Sequence, residues 1–427
     1  MEECIRMSRK EVQRLMVLEK ARAGALSLKA CAEVLRVSYR QVKRLMKALR
    51  EEGTEGLVHG NRGREPTNKI TKVHRDRIIK LIRGKYAGFN DTHFCEKLNE
   101  EEGIRVSRET VRKLLRERGI SPQRRHRPPK HRSRRPRAEA MGALIQMDGS
   151  PHRWFGEEHP PCCLMAAVDD ATGIPVAALF VRREGSEPYL RLLFAMVRDY
   201  GIPAAVYHDR HSSLVRTDSN WSHEEQMQGY QFPTHVGRVI DDLGIESIAA
   251  FSPQAKGRIE RLFQTFQSRL RNELRLRGIT TIEAANEFLP EFLKDFAKRF
   301  SIKPASTASC FIPISPQEAF DTIAFGYETV VGNDNAIRLG GMTLDIPRSK
   351  KSLAGKTVIV KQHLDGSWSL WHNRTKIATF PPTELREPVR QWKKRHGSKI
   401  REDFQVYIAS KPLPPRGHNR FADRGTF

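Results

Sequence analysis

The sequence has no long apolar run and no regular cysteine spacing. Its 427 residues contain no stretch near the roughly 18 apolar residues that a membrane-spanning helix needs. The six cysteines are scattered without a C-x-x-C pair, so neither a zinc-finger ligand set nor a disulfide framework is expected. Residues 1–6 lack the apolar segment of a secretory signal. These absences argue against a membrane or secreted protein and predict a cytoplasmic one.

Positive charge is in excess and is unevenly distributed. The chain carries 75 Lys and Arg against 50 Asp and Glu, a formal net charge of +25. Residues 1–140 contribute 37 basic and 18 acidic side chains, residues 141–300 contribute 18 and 21, and residues 301–427 contribute 20 and 11. This pattern predicts that basic flanks bind a polyanion and that the near-neutral middle has a different activity.

Residues 1–60 have the pattern of a helix-turn-helix module. One helix is predicted over residues 7–23, a second follows Ser27 as its N-cap, and a third follows Ser38. Apolar residues of the third helix recur at the spacing of a buried face. Its other face carries the side chains expected to contact DNA, namely Arg40, Gln41, Lys43, Arg44 and Lys47.

The arrangement recurs over residues 66–120, which predicts a second helix-turn-helix or winged-helix-like module. Its last helix follows Ser107 and presents Arg108, Arg112 and Lys113 for DNA contact. An ordinary three-helix bundle with a solvated basic face is the alternative interpretation of each module. Two such modules in tandem favour DNA binding and would together cover a longer site than one alone.

Residues 121–140 have the composition of an extended linker. Prolines exclude a helix, and the many basic side chains repel one another when the segment is free. Such a segment can lie along a phosphate backbone and gain affinity by releasing counterions. We expect Arg124, Arg125 and Arg127 to bind DNA in this way.

Strands alternate with helices over residues 141–300. Three antiparallel strands, then a helix, a strand, a helix, a strand and a helix, form the order of a ribonuclease-H-like α/β fold. Asp148 ends the first predicted strand, and Asp209 ends the fourth, which neighbours the first in this topology. Glu260 lies beside the apolar stripe of the last helix. Taken singly, each acid could equally be an ordinary strand-end or helix-surface carboxylate.

Three carboxylates converging on one point repel one another unless cations lie between them. Hard divalent cations prefer oxygen ligands. Two such ions about 3.5–4 Å apart can activate an attacking oxygen and stabilise a leaving one in phosphodiester chemistry. If they converge, Asp148, Asp209 and Glu260 therefore predict a site for two Mg²⁺ ions, with Mn²⁺ as a substitute.

Three segments carry a resemblance to a known superfamily. Residues 252–260 look like the Ser-Pro-Gln-x-x-Gly-x-x-Glu segment of retroviral integrases and related transposases. Residues 145–150 resemble the first-Asp strand of that superfamily, and residues 208–212 occupy the second-Asp position. In domain order, the chain resembles bacterial insertion-sequence transposases of the DDE type, close to the ISNCY group.

The resemblance implies that Asp148, Asp209 and Glu260 are the catalytic, metal-binding triad. Lys256 and Arg258, just before Glu260, are expected to hold a substrate phosphate. The sequence departs from the integrase pattern in a longer interval between the second Asp and the Glu, with the surplus in residues 214–233. It also lacks the His-His-Cys-Cys zinc module, and the predicted helix-turn-helix pair stands in its place.

The function implied is that of a transposase acting on double-stranded DNA. It would bind the terminal inverted repeats of a mobile element, cut the 3′ strand at each end, and join the freed 3′-hydroxyl to target DNA. Pairing two ends implies a homo-oligomer on DNA, and the setting implied is a nucleoid-associated protein of the bacterial cytoplasm. The alternatives are a non-catalytic DNA-binding regulator derived from a transposase and a nuclease without strand transfer.

The last third of the chain predicts short strands. Within residues 325–385, six short β-type segments are separated by Gly and Asn turns, which predicts a small β-barrel. Its expected role is non-specific DNA contact and bracing of a multimer, with a purely structural role as the alternative. Residues 386–427 are predicted to be a basic, partly disordered tail.

Overall fold

The computed structural model describes residues 7–59, 61–62, 70–122, 135–216, 221–250, 257–348 and 352–383. The chain divides into two compact units, Met1–Lys80 and Leu81–Phe427. Within the described ranges, no helix is both long enough and apolar enough to cross a membrane. The predicted basic tail lies outside these ranges, as does most of the predicted linker.

The first unit begins with a compact group of helices. They are α1 (Arg9–Arg22), α2 (Leu28–Leu35), α3 (Tyr39–Glu52) and a short 3-10 helix (Gly53–Leu57). The hydroxyl of Ser27 accepts the backbone N–H of Ala30, and that of Ser38 accepts the N–H of Gln41, so both predicted N-caps are confirmed. The inward face of α3 is buried as predicted, through Val42, Leu45, Met46 and Leu49.

Three further helices occupy the region of the second predicted module. They are α4 (Lys72–Arg83), α5 (Asp91–Glu100) and α6 (Arg108–Glu117). Ser107 caps α6 by accepting the N–H of Thr110 at 3.1 Å. In the second unit, α5 and α6 pack together, and each buries one apolar face.

A mixed five-stranded sheet follows in the second unit. Its strands are β1 (Ile145–His152), β2 (Cys162–Asp169), β3 (Pro175–Val181), β4 (Ala205–His208) and β5 (Glu246–Ala249). Their order across the sheet is β3-β2-β1-β4-β5. The first three strands are antiparallel, and β4 and β5 run parallel to β1. The fourth strand thus lies beside the first, as predicted.

Helices cover both faces of this sheet. They are α7 (Ser186–Tyr200), α9 (His235–Asp242), α10 (Gly257–Leu276) and α11 (Ile282–Phe300), and a short helix, α8 (His223–Gln228), precedes α9. One face shares a core with α7 and α9, and the other shares a core with α10 and α11. Successive β1 side chains alternate between them, so Met147 faces α7 while Gln146 reaches α10. Asp148 is two residues after Gln146, so its side chain leaves β1 on the face that α10 covers.

The C-terminal strands form an open sheet, which corrects the predicted barrel. After α12 (Pro316–Thr322) come β6 (Phe325–Val330), β7 (Ala336–Leu339), β8 (Met342–Asp345), β9 (Thr357–Gln362), β10 (Trp368–His372) and β11 (Thr375–Phe380). The described strands pair in the order β11-β10-β9-β6, with β7 and β8 as a separate hairpin. The buried side chains of this sheet belong to the same core as α7 and α9. Because that neighbour covers its apolar face, the sheet has no need to close on itself.

Candidate functional site

Asp148 and Asp209 lie close together where β4 ends beside β1. The prediction that Asp148 ends its strand was wrong, because β1 stays paired with β2 as far as His152. The pairing of β1 with β4 runs through Ile145 and Gln146 and goes no further, and β4 ends at His208. Asp148 therefore stands where β1 continues past the end of its parallel neighbour, and Asp209 directly follows that end. Both side chains are half-buried. This placement agrees with the general rule that ligands bind at the carboxyl ends of parallel strands.

Hydrogen bonds fix the backbone around Asp209. The imidazole of His208 is fully buried, with Nδ1 2.6 Å from the Asp209 carbonyl oxygen and Nε2 2.8 Å from the Ser247 hydroxyl on β5. The backbone N–H of His211 donates to Asp209 Oδ1 at 3.0 Å. The carboxylate is thus held by its own turn, and its orientation follows from the end of β4.

A third carboxylate joins these two, and it belongs to Glu184. One oxygen each of Asp148, Glu184 and Asp209 lies within 4.8 Å of the other two. Glu184 follows β3 and precedes α7, and it accepts a hydrogen bond from the Tyr189 hydroxyl. Burial, reinforced by the nearby Glu184 carboxylate, raises the pKa of Tyr189, so this hydroxyl keeps its proton. A closely spaced set of half-buried carboxylate oxygens suits Mg²⁺ or Mn²⁺.

Glu260, the predicted third acid, lies in the first turn of α10 and is exposed. Among the described residues it is outside the group that Asp148, Glu184 and Asp209 form. Glu184 is not predictable from the sequence spacing, because β2 separates β3 from β1 in the sheet. The signal that the sequence does offer is an acidic residue between the end of a predicted strand and the Gly185-Ser186 start of a helix.

Arg258 makes a buried ion pair at the start of α10. Its Nε donates to Asp170 Oδ1 at 2.5 Å, and four-fifths of its side chain is covered. Asp169, beside Asp170, accepts from the backbone N–H groups of Gly142 and Thr172, which is the usual role of Asp in a turn. The predicted phosphate contact of Arg258 stays a prediction, and Lys256 lies outside the described residues.

The predicted DNA-contacting side chains of α3 lie on its solvent side. Arg40, Lys43, Arg44 and Lys47 are exposed and Gln41 is half-buried. On α6, Arg108, Arg112 and Lys113 are exposed, and Arg112 pairs with Glu109 through two bonds of 2.8 and 2.7 Å. Arg124, Arg125 and Arg127 of the predicted linker lie outside the described residues.

Comparison with known proteins gives matches to transposases. A family model described as a helix-turn-helix domain matches residues 13–65. "Putative transposase y4bF" of Sinorhizobium fredii is 34% identical over 368 residues, which are 85% of this chain and 79% of that protein. The transposase for insertion sequence IS1202 of Streptococcus pneumoniae is 34% identical over 365 residues, 77% of this chain and 76% of that one.

Solved structures also align with the chain. One of them is the cryo-EM structure of the simian T-cell lymphotropic virus intasome in complex with the PP2A regulatory subunit B56 gamma. The alignment covers 71% of this chain and 95% of that chain, with 13% sequence identity and a TM-score of 0.29. This similarity is too low to support a structural argument.

Proposed function

Because the chain belongs to the family of insertion-sequence transposases, we propose that it cuts the 3′ ends of a mobile element and transfers them to target DNA. The observation that carries this proposal is the gathering of Asp148, Glu184 and Asp209 within 4.8 Å at the end of a mixed sheet. In this proposal the sheet and its helices are a ribonuclease-H-like core of the DDE type.

The carboxylates fit divalent metal ions. Asp148 and Asp209 are the two acids that sequence reasoning placed together, and Gly149 leaves room for a third carboxylate, because a Cβ there would lie 2.8 Å from Glu184 Oε2. Mg²⁺ held here would activate the attacking oxygen and stabilise the leaving 3′ oxygen. The residues of the chain would supply the ligands and orient them, since pairing of β1 with β2 holds Asp148 and a backbone hydrogen bond holds Asp209.

The identity of the third ligand is part of the proposal. We retain Glu260, because Asp148 starts from the sheet face that α10 covers and Glu260 lies in the first turn of that helix. Glu184 is the alternative, since it is the acid that the structure groups with both aspartates. In the first case, Glu184 would approach the site from the α7 side as an additional carboxylate.

DNA recognition is proposed for the basic modules. The helix-turn-helix domain would bind the terminal inverted repeats through the exposed face of α3, and α6 would extend the contact. Lys256 and Arg258 are retained as phosphate contacts next to the site, with Arg258 acting only if it leaves Asp170. A homo-oligomer of at least two chains would hold the two ends together in the bacterial cytoplasm, at the nucleoid.

The test uses the full chain, Mg²⁺ and duplex DNA from the flanks of its own coding region. D148N and D209N should each reduce 3′-end cleavage at least about a hundredfold while end binding is retained, because only a metal ligand is lost. D199N is the matched control, since Asp199 is an exposed acid of α7 paired with Arg198. Cleavage by D148N at the wild-type rate would refute the site.

The same assay separates the rival assignments. If Glu260 is the third ligand, E260Q should lose as much cleavage as D148N, and E184Q should lose less. If Glu184 is the third ligand, the order reverses. Pre-cut ends that bind but are never joined to target DNA would indicate a nuclease, and binding without any cleavage by the wild-type chain would indicate a regulator.

A further inference from the structure

Asp170 is a buried acid to which the proposed function assigns no role. It follows β2, and its side chain is inaccessible to solvent. Oδ1 accepts from the guanidinium groups of Arg135 and Arg258 and, at 2.8 Å, from the side-chain amide of Gln146. Oδ2 accepts the backbone N–H of Ala138 at 2.8 Å. A buried carboxylate with this many hydrogen-bond donors is held in one position.

Gln146 extends this cluster to the backbone of α10. Its amide is fully buried, with the nitrogen donating to Asp170 and the oxygen accepting the N–H of Ile259 at 3.2 Å. Ile259 lies in the first turn of α10, where backbone N–H groups have no partner within the helix. Gln146 therefore acts as a side-chain cap donated by β1, and the residue after Ile259 is Glu260.

Arg258 makes a second connection to the same turn. Besides its bond to Asp170, its Nη2 donates to the carbonyl oxygen of Arg135 at 3.2 Å. The residues on both sides of the Arg258–Ile259 peptide thus anchor to one carboxylate, directly in one case and through Gln146 in the other. Replacing that carboxylate by an amide would weaken both anchors and leave two guanidinium groups without the carboxylate they share.

We propose that Asp170 is a positioning residue, which holds the first turn of α10, and with it Glu260, against the strand that carries Asp148. Gln146 is two residues from Asp148 on β1, and Ile259 is adjacent to Glu260, so the cluster couples the two acids through rigid neighbours. The inference rests on the proposed function, in which Glu260 is a metal ligand. Asp170 itself would touch neither metal nor DNA.

The test compares D170N with D169N in the full chain. Both variants replace a fully buried carboxyl group in the same turn, but the Asp169 side chain bonds only to that turn and to Gly142 among the contacts described. Hydrogen–deuterium exchange is measured without metal or DNA. D170N should speed exchange in the first turn of α10 by about tenfold or more, with the rest of the helix unchanged, while D169N should not.

Catalysis gives the second readout. With pre-cut DNA ends, D170N should lower kcat of strand transfer by about tenfold or more at unchanged KM, because positioning affects the reacting groups rather than DNA binding. Q146M removes both hydrogen bonds of the buried Gln146 side-chain amide and should reproduce both effects. It replaces D170N in the test if D170N does not fold. R258M should lower kcat, and R258K, which keeps the positive charge, should lower it less.

The outcomes separate this inference from the proposed function. Wild-type exchange in D170N and Q146M, or equal exchange in D169N and D170N, would overturn it. An active E260Q alongside inactive D148N would also overturn it while leaving the metal site intact. Activity in D148N and D209N would instead refute the proposed function, whatever the exchange measurements give.

Discussion

The position after Asp148 carries no side chain, and this absence lets Glu184 reach the other two acids. A Cβ at Gly149 would lie 2.8 Å from Glu184 Oε2 and 3.0 Å from the Sγ of Cys163, closer than such contacts normally occur. Burial raises the pKa of the Cys163 thiol to about 12, so this wall of the site is neutral. Space at one residue therefore decides whether a third carboxylate can approach.

We predict that G149A displaces the Glu184 carboxylate. The added methyl group should cost about 1–3 kcal/mol in the free energy of unfolding, since it overpacks a filled region. It should also weaken Mg²⁺ binding measured by calorimetry. G185A is the matched control, because Gly185 is extended, with φ 174°, and its Cβ would meet nothing closer than 3.9 Å. Equal metal affinity in G149A and the wild type would contradict the prediction.

At the scale of elements, local patterns predicted much of the fold. The first three strands of the central sheet are antiparallel as predicted, and Ser27, Ser38 and Ser107 cap helices as expected. Strand alternation and N-cap chemistry are short-range, so a single sequence contains them. The helix α11 was missed, although its aromatic residues recur at helical spacing, with Phe288, Phe292 and Phe296 on one buried face.

Long-range placement was harder to predict. The neighbouring positions of Asp148 and Asp209 followed from a known strand order, whereas the arrival of Glu184 depends on how the β3–α7 connection folds back. The closed barrel was wrong because short alternating strands do not indicate whether a sheet covers itself or packs on another layer. The Asp170 cluster likewise combines residues from four separate segments.

The exposed face of α3 supports a prediction about salt dependence. K43Q and R44Q each remove a charge from the face expected to contact DNA. If each charge neutralises a phosphate, each change should reduce the slope of log K against log salt concentration by about 0.9, measured by fluorescence anisotropy. K20Q on α1 is the control, since Lys20 is equally exposed but lies on another helix. An unchanged slope in K43Q and R44Q would remove α3 from the interface.

At the scale of the second unit, ion pairs hold α5 against α10 and α11. Glu273 of α10 lies 2.7 Å from His93 Nε2 and 2.8 Å from the Lys97 ammonium, and all three side chains are buried. Arg269 makes two bonds to Glu96, and Arg299 of α11 makes two to Glu100. The cluster links a predicted DNA-binding element to the helix that carries Glu260.

Acid should weaken this docking, and His93 gives the test. Burial lowers the pKa of His93 below its usual 6.5, so the unfolded chain binds a proton more readily than the folded one. The stability that the neutral imidazole provides is present above about pH 6.5 and is lost as the pH falls through the lowered pKa of the folded state. Glu273 adds a second loss at lower pH, because burial is outweighed by the bonds from His93 and Lys97 and its pKa falls from 4.5 to about 2.

We therefore predict that H93Q flattens the pH dependence of unfolding just below about pH 6.5, where the wild type should lose up to about 1.4 kcal/mol per pH unit. Urea denaturation followed through tryptophan fluorescence measures it, because Trp154 and Trp368 are both buried in the same unit. H223Q is the control, since His223 is exposed and should leave the slope unchanged. A wild-type slope in H93Q would show that the α5–α10 contact does not sense protons through this histidine. Its stability would then rest on the Glu96 and Glu100 pairs instead.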